Sequence, residues 1–350
     1  MVTEYICWDC EKGYQPEDLQ RAAMVLKQHG LVAFPTETVY GLGGSGLCPE
    51  AAKRIYEAKG RPSDNPLILH ISKSEQLPMI ADRIPDVAYP LMKAFWPGPM
   101  TLIFHKNKCV PHEITGGLET VAVRMPSHEA ARMLIEAAGV PIAAPSANTS
   151  GRPSPTTAAH VREDLDGRIE MIIDGGAVNI GVESTIVDLT EDIPTILRPG
   201  HITKDMLQQV AGEVRMDAGL LGTDSDRKPK APGMKYRHYA PRAKMTVFDG
   251  ELDVVVKQIN DRAREYPAAQ VGILASEETA DSYTHGQVVS AGSRNAGTIE
   301  QGLYSALRLF DHKGVEVILS ESFSQEDKGE AIMNRLMKAA GQHIIYLSRE

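Results

Sequence analysis

CPEAAKRIYEAKGRPSDNPLILHIS, residues 48–72, passes from a helical pattern to an apolar strand through a single turn. The helix reads from Pro49 to a glycine stop at Gly60, and PLILHIS has the length and apolar character of a buried strand. Pro62 and Pro66 fix the path between them and drive the residues before them out of helical conformation. A helix followed this closely by a buried strand is the repeating step of an α/β sheet. The turn then places Lys59, Arg61 and Asn65 in a loop beside a strand, where α/β proteins usually bind ligands.

The same alternation continues on both sides. PEDLQRAAMVLKQHG reads as a helix and LVAFP as a strand; DVAYPLMKAFW is helical, TLIFHK and TVAVRMP are strands, and HEAARMLIEAAG is a helix. PIAAPSAN, MIIDGG, STIVDL and PTILRPG are short runs punctuated by Gly and Pro, and ITKDMLQQVAG closes with a helix. Helices separate some strands while others follow one another directly, so the expected fold is α/β with an open, twisted, mixed sheet over residues 1–212. Residues 213–244 are rich in Gly, Pro and charge without periodicity, and read as a long ordered linker or lid. From 245 to 350, strand and helix patterns alternate again and predict a smaller Rossmann-like α/β domain.

At 350 residues, with 42% hydrophobic and 24% charged residues, the chain can bury a substantial core and fits neither a disordered nor a fibrous class. The net charge of -9 argues against a surface built mainly to coat nucleic acid. The first residues lack a basic start followed by an apolar run, and no apolar stretch is long enough to span a membrane, so a cytoplasmic protein is expected. Four cysteines are too few for a disulfide scaffold. Cys7 and Cys10 form one CxxC, but the helix after them starts only at Pro16 and no second ligand pair exists, so no metal site is expected.

GLGGSG, residues 41–46, satisfies GxGxxG, yet Asp64 precedes a strand instead of ending one, so the glycines read as a turn with close backbone approach. No Walker loop, HExxH or GxSxG occurs. Any phosphate must therefore meet separate loops: KGRP at 59–62, PSANTSGRPS at 145–154, ESTIVD at 183–188 and LRPG at 197–200. Arg61, Arg124 and Arg198 can each make forked bonds to carboxylate or phosphate, which neighbouring hydroxyls can complete. His70, inside an apolar run, reads either as a satisfied core histidine or, with Thr38, as a group orienting a small polar substrate. In the linker, Tyr236, His238 and Tyr239 interleave with Lys and Arg, a combination that suits a lid over a nucleotide or a solvated tether.

FPTETVYGLG, KGRPSDNPL, PSANTSGRPSPT, ESTIVD and LRPG, in this order, resemble the YrdC-type domain of the threonylcarbamoyl-AMP synthase family. APGMKYRHYAP and the following α/β segment resemble its longer, two-domain branch. The resemblance implies condensation of L-threonine, bicarbonate and ATP to threonylcarbamoyl-AMP, with pyrophosphate released and Mg²⁺ carried on the ATP phosphates. The product would pass through partner proteins to threonylcarbamoyladenosine (t6A) in tRNA. Carried over by motif, Thr38, His70, Arg124, Ser184 and the backbone at Ala144 would hold threonine. Arg61, Asn65, Thr120, Ser146, Asn148, Ser154, Arg198 and Tyr236 would hold ATP, with Lys59 and Arg61 carrying catalysis. Two rivals compete: an RNA-binding or ribosome-associated module using the same basic cavity, and a carbamoyl-transfer domain like those of hydrogenase-maturation proteins. The second lacks its companion acylphosphatase-like and zinc-finger segments here.

Overall fold

A computed structural model of the chain describes residues 1–8, 15–220, 239–295, 297–323 and 328–348. Contacts divide it into two units, and most of the first is built on one 12-stranded mixed sheet. Edge to edge, the strands are Glu4–Cys7, Met171–Asp174, Val32–Phe34, Gly41–Ser45, Ile142–Ala143, Ile68–His70, Thr120–Arg124, Met100–Lys106, Thr185–Asp188, Thr195–Arg198 and Arg215–Met216. Ala81–Arg83 pairs with Met100–Lys106 off this path. Ile68–His70 runs parallel to Thr120–Arg124, which is antiparallel to Met100–Lys106, itself parallel to Thr185–Asp188. Arg215–Met216 pairs with Thr195–Ile196, so the first sheet gains a strand beyond Gly212.

Near one edge the strands are buried on both faces, which is why they read as continuous apolar runs rather than alternations. Val32, Phe34, Met171 and Ile173 pack with Leu19 and Leu26 of the helix Pro16–Lys27 and Leu134 and Ile135 of the helix Glu129–Ala138. Ala33 and Ile172, one residue out of step, face the larger core with Ile55 and Tyr56 of the helix Pro49–Lys59. Further along, alternation sorts the same strands differently. Leu69, Val123, Leu102 and Val187 enter the larger core, while Ile68, Ala122, Ile103 and Ile186 form a small apolar patch on the opposite face.

The helix Pro49–Lys59 starts with proline at its first turn, where no amide donor is lost, and stops at Gly60 in the left-handed conformation (φ 60°). The GLGGSG run is not a turn. Gly41–Ser45 is a buried strand, antiparallel to Val32–Phe34. Its glycines answer crowding: a Cβ on Gly43 would lie 2.8 Å from both Phe34 and Ile142, and one on Gly46 would lie 2.6 Å from Leu69 and 2.7 Å from the Pro141 carbonyl.

The second unit has a five-stranded, wholly parallel sheet in the order Gln287–Ser290, Val271–Ala275, Val317–Glu321, Lys244–Asp249, Ile344–Tyr346. The helix Leu252–Ala263 buries Val255 and Ile259, and the helix Ile299–Lys313 buries Leu303, Tyr304, Leu307 and Phe310. In chain order the strands run 3-2-4-1-5, unlike the 3-2-1-4-5-6 of the Rossmann fold, so the likeness rests on the parallel, helix-flanked sheet. Gly151–Ser154 and Ile180–Val182 group with this unit. Arg308, fully buried, donates from Nη2 to the Pro153 carbonyl at 2.7 Å. The predicted linker lies mostly outside the described residues.

Because the Pro141 carbonyl beside Gly46 is backbone and cannot rotate away, Gly46→Ala should lower stability by about 1–3 kcal/mol. The check is the midpoint shift in urea unfolding.

Candidate functional site

Strand register gathers the predicted residues on one sheet face. His70 pairs with Arg124, Arg124 with Thr101, and Thr101 with Ile186, so these four form a row across four strands. Two residues along, Ile68, Ala122 and Ile103 continue the same face as the apolar patch. Thr120, half-buried at the start of its strand, shares that parity, four residues from Arg124.

Arg124 is 4% exposed and contacts three groups. Its Nε donates to the Gly98 carbonyl at 3.3 Å, its Nη1 donates to Thr38 Oγ1 at 2.8 Å, and its Nη2 lies 2.8 Å from Glu37 Oε1. Thr38 Oγ1 also shares a hydrogen bond of 2.9 Å with Thr36 Oγ1, whose hydroxyl donates in turn to the Val39 carbonyl at 2.6 Å. Glu37 Oε2 accepts the Ser127 amide at 3.1 Å. Burial pushes the Glu37 carboxyl up, but the positive charge of Arg124 outweighs it and holds the group below the usual range. Glu37 therefore stays ionised.

His70 is buried, and its Nδ1 donates to the Ile68 carbonyl at 3.1 Å. Burial, followed by the positive charge of Arg124, lowers its pKa to about 3. The imidazole is neutral at physiological pH and acts by shape and hydrogen bonding. Ser184 Oγ shares a 2.7 Å hydrogen bond with Thr101 Oγ1 and accepts from Arg198 Nη2 at 3.2 Å; Arg198 Nε donates to the Ser184 carbonyl at 3.1 Å. Ala144 donates its amide to the Ile68 carbonyl at 2.9 Å, beside the strand that carries His70.

A second cluster lies on the neighbouring loops. Lys59, at the end of its helix and 3% exposed, donates from Nζ to the carbonyls of Ser146 and Asn148. Ser146 Oγ donates to Asn148 Oδ1, and Ser150 sends its amide to the Lys59 carbonyl at 2.8 Å. The two loops that carry these clusters run side by side. Leu42 donates to the Pro145 carbonyl and Ala147 to the Tyr40 carbonyl, each at 2.8 Å. Arg61 turns back on its own loop, donating to the carbonyls of Asn65 (3.4 Å) and Pro66 (3.2 Å). Tyr56, from the helix before, donates its hydroxyl to Asn65 O at 3.2 Å and Glu113 O at 3.0 Å, pinning that loop. Asn65 is buried, and its Oδ1 has no hydrogen-bond partner among the described residues.

The structure thus bonds Thr38 to Arg124 and Ser184 to Arg198, sets His70 beside Arg124 by strand register, and gathers Lys59, Ser146 and Asn148 in a separate cluster. Ser154 is buried and belongs to the second unit. Tyr236 lies outside the described residues, as does Cys10; Cys7 is exposed at the end of a strand. Among the described residues no three His, Cys, Asp or Glu are placed to hold a metal ion. Sequence reasoning passed over Glu37, Thr101 and the Gly98 carbonyl. A buried arginine requires a partner, and that requirement pointed to Glu37 inside the quoted FPTETVYG.

Known proteins resemble this chain along nearly its whole length. A family model described as Telomere recombination, covering Sua5, YciO and YrdC proteins, matches residues 24–200. A second, described as Threonylcarbamoyl-AMP synthase, C-terminal domain, matches 202–341. The chain is 51% identical to the threonylcarbamoyl-AMP synthase of Pyrococcus abyssi over 93% of its length and 94% of the relative's. It is 50% identical to that of Bacillus subtilis, with the same coverage of both chains. The crystal structure of P. abyssi Sua5 complexed with L-threonine aligns over 99% of this chain and 100% of its own, with a TM-score of 0.93 and 47% identity. The crystal structure of Escherichia coli YciO aligns with 57% of this chain and 97% of its own, at a TM-score of 0.52 and 27% identity.

The depressed pKa of His70 has a thermodynamic consequence. Between the unfolded value of about 6.5 and the folded value of about 3, the unfolded chain binds a proton that the folded chain refuses. The stability linked to this group is present above pH ~6.5 and falls on acidification by up to ~1.4 kcal/mol per pH unit. Denaturant unfolding from pH 7 to 5 should show a shallower acid slope for His70→Gln than for the native sequence.

Proposed function

The chain belongs to the threonylcarbamoyl-AMP synthase family, and on that premise we propose that it condenses L-threonine, bicarbonate and ATP to threonylcarbamoyl-AMP, releasing pyrophosphate. The observation that carries the reading is the strand register that sets His70, Arg124 and Thr101 in one row, with Thr38 bonded to Arg124 and Ser184 bonded to Thr101. It offers a guanidinium for a carboxylate and small hydroxyls with a neutral imidazole for a polar side chain, the groups that threonine presents.

In this reading, threonine's amine takes up carbon dioxide derived from bicarbonate and becomes a carbamate. A carbamate oxygen attacks the α-phosphorus of ATP and pyrophosphate leaves. No protein nucleophile is required, because the enzyme's task is to align two anions and neutralise their repulsion. Arg124 takes the threonine carboxylate, Thr38 and His70 its hydroxyl end, and Ser184 and the Ala144 backbone the remaining polar groups. Lys59, Arg61, Asn65, Thr120, Ser146, Asn148 and Arg198 hold the nucleotide. Asn65 Oδ1, buried without a partner among the described residues, suits a donor such as the adenine amino group.

The nucleotide set is cationic, hydroxyl and amide, with no carboxylate cage, which fits a Mg²⁺ that arrives on the triphosphate. When bound, that ion supplies charge neutralisation at the phosphates. The adenylate is then consumed by proteins that transfer the threonylcarbamoyl group to tRNA adenosine, and the setting is cytoplasmic. Among the described residues no helix is long and apolar enough to cross a membrane. The RNA-binding alternative is not favoured, since the similar full-length proteins bear the synthase name.

Purified protein should release pyrophosphate only when ATP, threonine and bicarbonate are all present. RNA binding that weakens steeply with salt, without any such release, would overturn the reading. Arg61→Ala should keep its melting temperature and lose on the order of 10- to 100-fold in kcat/KM for ATP, the worth of one charge-assisted hydrogen bond.

A further inference from the structure

We propose that Glu37 receives the α-amino group of threonine, so that Glu37 and Arg124 form a matched seat for both charged ends of an amino acid. The inference deepens, and rests on, the threonine-binding reading above. It starts from two atoms. Glu37 Oε1 and Arg124 Nη2 lie 2.8 Å apart, and both residues are more than nine-tenths buried. Neither atom has a hydrogen bond of acceptable geometry among the described residues.

Every other polar atom of the pair is engaged. Oε2 accepts the Ser127 amide, Nη1 donates to Thr38 and Nε donates to Gly98. What remains is one anionic acceptor beside one cationic donor, next to the Thr38 hydroxyl. The two face each other as a buried ion pair without hydrogen-bond geometry, and a ligand presenting a donor and an acceptor would supply the hydrogen bonds that each lacks. A carboxylate-only ligand satisfies Arg124 and is repelled by Glu37. An amino acid satisfies both.

The ionisation state supports the assignment, since Arg124 keeps Glu37 deprotonated despite its burial. An ionised carboxylate accepts from an ammonium and equally from the N–H of a carbamate. The contact therefore survives carboxylation of the amine, and Glu37 holds the nitrogen in place while its substituent changes. Being held ionised, it is a poor base and serves in binding and selectivity.

The test is calorimetric titration of L-threonine and of 2,3-dihydroxybutyrate of matching stereochemistry, in which a hydroxyl replaces the α-amino group. The native chain should prefer threonine by on the order of 10- to 100-fold, the worth of one charge-assisted hydrogen bond. E37Q should bring the two ligands to within about 3-fold by weakening threonine alone. E37D, which keeps the charge, should retain part of the preference. Equal weakening of both ligands by E37Q would overturn the proposal, because Glu37 would then serve only to orient Arg124; an undiminished preference in E37Q would overturn it as well. Should E37Q fail to fold, a native chain that binds both ligands equally still refutes it. A native chain that binds ATP but neither ligand refutes the threonine reading itself.

Discussion

Arg124 carries a full charge into a site where it is 4% exposed, and a charge so buried costs several kcal/mol unless it is paired and hydrogen-bonded. That requirement organises much of the first unit. It brings the Thr36–Val39 loop to the end of the Thr120–Arg124 strand, because Thr38 and Glu37 answer the guanidinium, and it draws in the Gly98 carbonyl. The same charge holds Glu37 ionised and, with burial, keeps His70 neutral. Arg124 thus holds Glu37 ionised, reinforces the burial that keeps His70 neutral, and draws two loops to its guanidinium.

Period-two geometry does the rest. His70, Arg124 and Thr101 become neighbours because each lies two residues from a member of the Ile68, Ala122 and Ile103 patch, and strand pairing places them in one row. A slip of one residue in Ile68–His70 would exchange the imidazole for Leu69, which belongs to the core on the other face. The apolar residues of these strands are therefore the register marks that aim the polar ones.

Those marks explain what could be read without coordinates. Helices such as Pro49–Lys59 and Glu129–Ala138 were visible because helical periodicity and glycine stops are local signals. The Gly41–Ser45 strand was not: three glycines and a serine around one leucine carry no strand propensity, and crowding by residues distant in sequence, such as Phe34 and Ile142 at Gly43, is the reason for them. The order of the second sheet was likewise hidden, since parallel strands joined by helices look alike in any arrangement. At the site, the Arg and hydroxyl residues stood out through their Pro/Gly-marked loops. Glu37 did not, because its role depends on Arg124, 87 positions away.

The two clusters also differ in charge in a way that matches two ligands. The residues assigned to threonine, taken with Glu37, contain one guanidinium and one carboxylate, a composition suited to a substrate that arrives as a zwitterion. Those assigned to the nucleotide contain Lys59, Arg61 and Arg198 and no carboxylate, as a polyanion requires. On the proposed reading, carboxylation turns the neutral amino acid into an anion at the threonine residues, so charge repulsion against ATP appears only after threonine is seated. The cations of Arg124 and of the adjoining nucleotide loop then stabilise the approach of two anions more strongly than they stabilise bound threonine. Stabilisation that grows along the reaction coordinate accelerates it. A site whose threonine half carried uncompensated positive charge would spend that interaction on the ground state instead, which is a reason for a carboxylate to sit where Glu37 does.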